Sequence, residues 1–155
     1  MSQKIVLMSS PEYFKVEYAI NPWMVPGTKV DLELAKDQWN GLKRTIEEAG
    51  AEVKVVPPSE NHPDLVFTAN SGIISGNDVL IANFKFEERR GEEEIYIKWF
   101  KENEYNVSRI PPDYKFEGRG DAFVYGDYLV GSYGVRSDKE ALLYIAEHFE
   151  LEPVI

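Results

Sequence analysis

The 155-residue chain carries 27 acidic and 17 basic residues and has a net charge of −10. Nucleic-acid binding relies on basic side chains that neutralise phosphates, so this charge argues against nucleic acid as the main partner. The chain contains no cysteine, which excludes a disulfide, a thiolate metal site and a cysteine nucleophile within these residues. Its 43% hydrophobic and 13% aromatic content indicates a globular protein whose length fits one domain.

Targeting and metal-binding signals are weak. The apolar run at residues 5–8 is too short for a signal peptide or a membrane span, and a chain without cysteine or signal is predicted to be cytoplasmic, with no membrane partner. The only histidines are His62 and His148, which argues against a zinc site. A carboxylate site for Mg²⁺ or Ca²⁺ stays open, although no EF-hand spacing is present. We predict no metal and no cofactor.

The first third of the chain predicts two strands around one helix. Residues 5–8 and 52–56 have strand patterns, and residues 30–49 have helical spacing with Asp31 as the cap. Residues 9–27 are irregular and contain three prolines and four aromatic residues. A loop of this length is often functional in a compact domain; the alternative is that its aromatic side chains cover the core.

In the rest of the chain, the pattern predicts a short strand at 65–67. Two successive sets of a hairpin, a helix and a strand are predicted after it. The predicted segments are 72–75 with 79–82, 92–103, 107–110, then 122–125 with 128–131, 139–149 and 152–155. Each unit is therefore ββαβ, and the fold class is α/β or α+β.

An internal repeat supports this organisation. A shift of 49 positions places Phe67 on Phe116, Leu80 on Leu129, and the turn at 76–78 on the turn at 125–127. A fixed period of this size is typical of a supersecondary unit that is used more than once.

Two carboxylates hold similar places in the repeat. Asp64 precedes an apolar segment, and Glu117 lies between Phe116 and Gly118. Two such carboxylates suit a cationic ligand such as a guanidinium, which binds a carboxylate through a planar fork. The alternative is turn chemistry, because Asp and Glu beside Gly and Pro are common in loops.

The basic residues suggest an anion site less strongly. Arg136 follows a glycine-rich turn and precedes a capping pattern from Ser137 to Glu140, an arrangement that can hold an anionic group at a helix start. A solvated arginine is the alternative there, and also for Arg89 and Arg90 before the second helix. His148 has the position of a cation at a helix C-terminus, and His62 lies in a loop with nothing to support a catalytic role.

Five segments together resemble a known family, the guanidino-group-modifying enzymes that include dimethylarginine dimethylaminohydrolase and its amidinotransferase relatives. The segments are Glu-Tyr-Ala-Ile-Asn-Pro-Trp-Met at 17–24, Pro-Asp-Leu-Val-Phe-Thr-Ala-Asn at 63–70, Glu-Arg-Arg-Gly-Glu-Glu at 88–93, Phe-Glu-Gly-Arg-Gly-Asp-Ala at 116–122 and Gly-Ser-Tyr-Gly-Val-Arg-Ser-Asp at 131–138. These enzymes share the pentein fold, a five-bladed α/β propeller of ββαβ units around a central site. The resemblance implies a single partial pentein domain at 1–155, with units at about 1–58, 63–111 and 115–155.

The resemblance also implies residue roles. Glu117 is the acidic member of the Cys-His-Glu/Asp catalytic set and keeps the histidine charged. Asp64 binds the substrate guanidinium and Phe67 packs on it, while the 18–24 loop covers the site. Several relatives have an acidic pair after the Phe, where this chain has Ala69-Asn70, and Asn70 can hydrogen-bond a guanidinium without neutralising it.

Arg90 and Arg136 are implied to bind the α-carboxylate of an arginine-like substrate. The nucleophilic cysteine and the proton-transferring histidine of this family lie C-terminal to every segment matched here. The chain is therefore predicted to be the first three units of five, inactive alone, in a hydrolase that converts arginine or methylarginine to citrulline and an amine. Its partner would be a C-terminal half chain or a second copy; the alternative is a non-catalytic binding or assembly module.

Overall fold

The computed structural model describes residues 4–155. The chain divides into two compact units, one that ends at Thr68 and one that spans Ala69–Ile155.

The first unit is built on a parallel strand pair joined by a helix. Strand β1 (Ile5–Ser9) pairs with β2 (Glu52–Val56), and Ile5 lies opposite Glu52. Helix α1 (Leu32–Glu48) connects them. The Asp31 side chain accepts a hydrogen bond of 3.0 Å from the Leu34 amide, which confirms the predicted cap.

The segment after β2 differs from the prediction. Residues 65–67 were expected to form a strand, but the backbone forms two 3₁₀ turns, Pro63–Val66 and Thr68–Ser71. Pro63 fixes its own φ in the helical range at the start of the first turn, and the Phe67 amide donates to the Asp64 carbonyl at 2.9 Å. The strand prediction was therefore wrong here: the apolar residues at 65–67 are too few to define a period.

The second unit contains two copies of one strand arrangement. In the first, β3 (Gly72–Ser75) pairs antiparallel with β4 (Asp78–Ile81), which pairs parallel with β5 (Asn106–Arg109). In the second, β6 (Ala122–Tyr125), β7 (Tyr128–Gly131) and β8 (Glu152–Val154) repeat this order and direction. Helices α2 (Glu87–Glu102) and α3 (Lys139–His148) make the crossovers. The ββαβ repeat is thus confirmed.

The period of the repeat, measured between the two hairpin turns, is one residue longer than predicted. The two-residue turns are Gly76-Asn77 and Gly126-Asp127, so equivalent turn positions lie 50 residues apart and not 49. Gly76 and Gly126 both have positive φ, +60° and +58°, which the turn requires and glycine supplies without strain. The gapless match of Leu80 with Leu129 concealed this shift.

Helix α2 begins five residues before its predicted start, with Phe86 at the N-cap and Glu87 and Glu88 in the first turn. Two carboxylates suit the positive end of the helix dipole. As a result, Arg89 and Arg90 lie inside the helix and not before it.

A buried hydrophobic cluster lies in the second unit. It joins both hairpins to one face of α3 and includes Ile73, Leu80, Phe116, Leu129, Leu142 and Ile145. The segment that carries Glu117 leaves this cluster directly, so its position is fixed by the core.

Candidate functional site

Glu117 is a buried carboxylate held through its backbone. It is 1% exposed. Its amide donates to Ser137 Oγ at 3.1 Å, and its carbonyl accepts from Asn70 Nδ2 at 2.7 Å. Among the described residues, Glu117 Oε1 has no hydrogen-bond partner. A buried polar atom without a partner is rare and costs free energy, which marks this oxygen as one that a further group would satisfy.

The charges around Glu117 act in opposite directions. Burial raises the pKa of the Glu117 carboxyl, while the guanidinium groups of Arg136 and Arg89 lower it. Arg136 Nη1 lies 3.5 Å from Glu117 Oε2. Burial has the larger effect, so Glu117 keeps its proton to a higher pH than an exposed glutamate does.

Asp121 connects Arg136 to Ser137. Asp121 Oδ1 accepts from Arg136 Nη2 at 2.5 Å, and Oδ2 accepts from Ser137 Oγ at 2.6 Å. Since the Ser137 hydroxyl hydrogen points to Asp121, its oxygen is free to accept the Glu117 amide. Ser137 was predicted as a helix cap; this was wrong, because Asp138 takes the N-cap position.

A second charged group lies on the other side of Asn70. Arg89 donates two hydrogen bonds to the Glu92 carboxylate, at 2.8 and 2.7 Å, and one to Asn70 Oδ1 at 3.2 Å. Arg89 is 3% exposed and Glu92 is fully buried. The Arg89 guanidinium also lies over the Phe84 ring, 4.5 Å from its centroid. Asn70 therefore bridges a buried ion pair and the Glu117 backbone.

Gly118 allows this close approach. Its φ is +67°, and a Cβ there would lie 2.7 Å from the Ala69 carbonyl oxygen and 2.7 Å from the Asn70 carbonyl carbon. The backbones of the two loops could not lie so close with any side chain between them.

An open cleft of about 250 Å³ lies beside this network. Its lining residues come from the turn after β7 and from Asp121, and they are Asp121, Ser132, Tyr133, Val135, Arg136 and Ser137. Arg136 is the cationic member of the lining, and its side chain is 35% exposed. The cleft thus has one partly accessible cation beside carboxylates that are mostly buried.

In the first unit, Asp64 is 3% exposed and lies within the Pro63–Val66 turn. Phe67 is 46% exposed, and its ring meets the Phe14 ring edge to face with centroids 5.6 Å apart. His62 Nδ1 lies 2.8 Å from Ser59 Oγ, and burial lowers the pKa of His62.

The structure brings three of the predicted site residues together: Glu117, Asn70 and Arg136. Arg90 is exposed, and its guanidinium binds backbone carbonyls: Nε donates to the Phe84 carbonyl at 3.3 Å and Nη2 to the Lys85 carbonyl at 3.2 Å. No sequence pattern pointed to Glu92 or Asp121, Ser137 was predicted only as a helix cap, and Arg89 was predicted only as an anion ligand or a solvated arginine. For Arg89 and Glu92 the available signal was their i, i+3 spacing, which becomes meaningful only once the start of α2 is placed correctly.

A family model for N,N-dimethylarginine dimethylhydrolase of the eukaryotic type matches residues 16–155. The chain belongs to this dimethylarginine dimethylhydrolase family. The bifunctional arginine dihydrolase/ornithine cyclodeaminase ArgZ of Synechocystis is 41% identical over 152 residues, which cover 96% of this chain and 21% of ArgZ. The dimethylarginine dimethylaminohydrolase of Mycobacterium tuberculosis is 37% identical over 139 residues, covering 90% of this chain and 45% of that protein.

A solved structure supports the family assignment. The N-terminal domain of ArgZ, a mutant with substrate bound, superposes with a TM-score of 0.92 at 41% identity and covers 97% of this chain and 56% of that domain. The predicted fold class, a partial pentein of ββαβ units, is therefore confirmed. The chain spans about half or less of each of these relatives, and the unit boundaries stay a prediction.

Two findings concern the described residues alone. Residues 4–155 include no helix that is both long and apolar enough to cross a bilayer. Within the same residues there is no group of three or more acidic or histidine side chains placed to hold a metal ion. Cytoplasmic location stays a prediction.

Proposed function

We propose that this chain contributes the acidic part of the active site of a hydrolase that acts on the guanidino group of arginine or a methylarginine. The observation that carries the proposal is Glu117: a buried carboxylate with one oxygen unpartnered among the described residues, in a chain of the dimethylarginine dimethylhydrolase family. An oxygen of this kind suits a charged imidazole or a guanidinium as its partner.

The reaction proposed is a two-step substitution at the guanidinium carbon. A cysteine thiolate adds to this carbon, and the amine leaves with a proton from a histidine. Water then attacks the covalent intermediate, the thiolate leaves, and citrulline is formed. Glu117 would keep that histidine charged. Asp64 would bind the guanidinium and Phe67 would pack on it.

Substrate recognition at the α-carboxylate is proposed for Arg136 and Arg90. Arg136 is the better supported, because it lines the cleft and is partly exposed. Asn70 is proposed to affect the choice between arginine and methylarginine through its amide. A neutral amide there, together with the 41% identity to an arginine dihydrolase, favours arginine.

The nucleophile must come from outside these residues, since the 155-residue sequence has no cysteine. The chain alone is therefore expected to release no citrulline. The partner, either a C-terminal half chain or a second copy, is also a proposal. Such a partner would cover the exposed aromatic residues of the β6–β7 hairpin, which are Phe123, Tyr125 and Tyr128. Light scattering on the purified chain tests whether the partner is a second copy.

The test is an assay of citrulline and ammonia release by the gene product that carries these residues, with L-arginine as substrate. The E117Q variant keeps the shape of the side chain but removes its charge, and we expect turnover to fall by about 10²-fold or more. The matched control is E152Q, at an exposed glutamate of β8, and it should keep full activity. Equal activity in E117Q and E152Q would contradict the role of Glu117.

A non-catalytic binding module is the second candidate; the partly exposed Arg136 of the cleft, which could hold a carboxylate without any chemistry, favours it. In that case, calorimetry would detect L-arginine binding to the gene product while no citrulline is released. Citrulline release by the gene product would exclude this candidate.

A further inference from the structure

We propose that Asp121 is a positioning residue that sets both Arg136 and the Glu117 backbone, through its two carboxylate oxygens. This inference rests on the proposed function, because it gives Arg136 and Glu117 their roles.

The two carboxylate oxygens of Asp121 bind different residues. Oδ1 accepts from Arg136 Nη2 at 2.5 Å and Oδ2 accepts from Ser137 Oγ at 2.6 Å. These two donors are consecutive in the chain, so one carboxylate fixes the side chains of both. The backbone of Asp121 is fixed as well, since its amide donates to the Gly118 carbonyl at 3.0 Å and its carbonyl accepts from the Ser132 amide at 2.9 Å.

Ser137 connects Asp121 to the Glu117 backbone. A serine hydroxyl has one hydrogen, and in Ser137 this hydrogen is directed to Asp121. The Ser137 oxygen then accepts the buried Glu117 amide at 3.1 Å. Removal of the Asp121 acceptor would leave the Ser137 hydroxyl free to rotate, and the Glu117 amide would lose a fixed acceptor.

The carboxylates of Asp121 and Glu117 both interact with the Arg136 guanidinium. Its Nη1 lies 3.5 Å from Glu117 Oε2 while its Nη2 contacts Asp121. Asp121 therefore draws the guanidinium towards the cleft side and limits how far it neutralises Glu117. Without the Asp121 charge, Arg136 would move onto Glu117 and be less available to a substrate carboxylate.

The test compares D121N and S137A with D127N as the matched control, since Asp127 is an exposed aspartate of the β6–β7 turn. Carbon-13 and nitrogen-15 NMR of the protein reports the Glu117 carboxyl, the Glu117 amide and the Arg136 guanidinium. The negative charge of Asp121 raises the pKa of Glu117, so D121N should lower that pKa, shift the Glu117 amide and change the Arg136 signals. S137A should shift the Glu117 amide but leave the Arg136 signals in place. D127N should change none of these.

An activity measurement separates this inference from the proposed function. In the gene product, D121N should raise KM for arginine about tenfold, the loss expected for one charge-assisted hydrogen bond. It should leave KM unchanged for agmatine, which is arginine without its carboxylate. A general loss of structure would affect both substrates alike. Absence of turnover by the wild-type protein would contradict the proposed function alone, whereas the NMR results decide the role of Asp121.

The inference is overturned if D121N leaves the Glu117 pKa and the Arg136 signals as they are in D127N. If D121N does not fold, S137A decides: an unshifted Glu117 amide in that variant would equally overturn it.

Discussion

Substitution of Gly118 by alanine tests whether the close approach of two loops determines the position of Glu117. A Cβ at this residue would lie 2.7 Å from the Ala69 carbonyl oxygen and 2.8 Å from Asn70 Cα, distances at which backbone atoms must move. Two costs add. An L-residue at a φ of +67° costs about 1–2 kcal/mol, and overpacking costs about 1–3 kcal/mol more. We expect G118A to lower the free energy of unfolding by about 2–5 kcal/mol.

The matched control for this prediction is G126A. Gly126 has a similar φ of +58°, but a Cβ there would have no atom within 4 Å. This variant carries only the conformational cost, about 1–2 kcal/mol. Urea unfolding followed by circular dichroism measures both variants. Equal destabilisation of G118A and G126A would refute the reasoning, because it would mean that contact with the Asn70 loop contributes nothing.

Three further predictions concern charge, pH and helix propensity. E92A should lower the free energy of unfolding by about 3–5 kcal/mol, because it removes the carboxylate that accepts two hydrogen bonds from the buried Arg89 guanidinium; a urea midpoint equal to that of wild type would contradict this. Burial raises the pKa of Glu117 above its ordinary value of 4.5, so the folded state binds more protons than the unfolded state, and stability should fall as pH rises from 4.5 to the raised pKa. This fall in stability should be smaller in E117Q than in wild type. If the urea midpoints of the two proteins depend on pH in the same way, the prediction is wrong. G41A should raise the free energy of unfolding by about 0.5–1 kcal/mol, since Gly41 lies inside α1 and a Cβ there would have no atom within 4 Å; destabilisation in a urea titration would contradict this.

The sequence predicted regular elements well where local chemistry decides the backbone. The turn residues Gly126 and Asp127 predicted the bounds of the β6–β7 hairpin correctly. The capping residue Asp31 predicted where α1 begins. The prediction failed where the backbone depends on distant contacts or weak periods. Residues 65–67 were too few to separate a strand from a 3₁₀ turn.

For the candidate site, the sequence singled out Glu117, Asn70 and Arg136, which the structure brings together, but it did not predict the contacts around them. Arg89 and Arg90 are adjacent and chemically identical, and only the packing of α2 shows that Arg89 is buried against Glu92. Asp121 belongs to the 116–122 segment that resembles the family, but its contact with Arg136 joins residues 15 positions apart, which no local pattern encodes. The predicted roles all stay predictions, namely those of Asp64, Phe67, Asn70, Arg90, Glu117 and Arg136.

The contact between Asn70 and Gly118 restricts how the repeat units could be exchanged or rearranged. Asn70 precedes the first hairpin of the second unit, and Gly118 precedes the second hairpin, yet the carbonyl of Glu117 is held by the amide of Asn70. A ββαβ repeat is therefore incomplete by itself, because the loop that carries Glu117 at the start of one repeat is held by Asn70 from the start of the repeat before it. A chimera that replaces one ββαβ unit with that of a relative would have to transfer Asn70 and Gly118 as a pair, and mutations at these two positions should be coupled during divergence of the family.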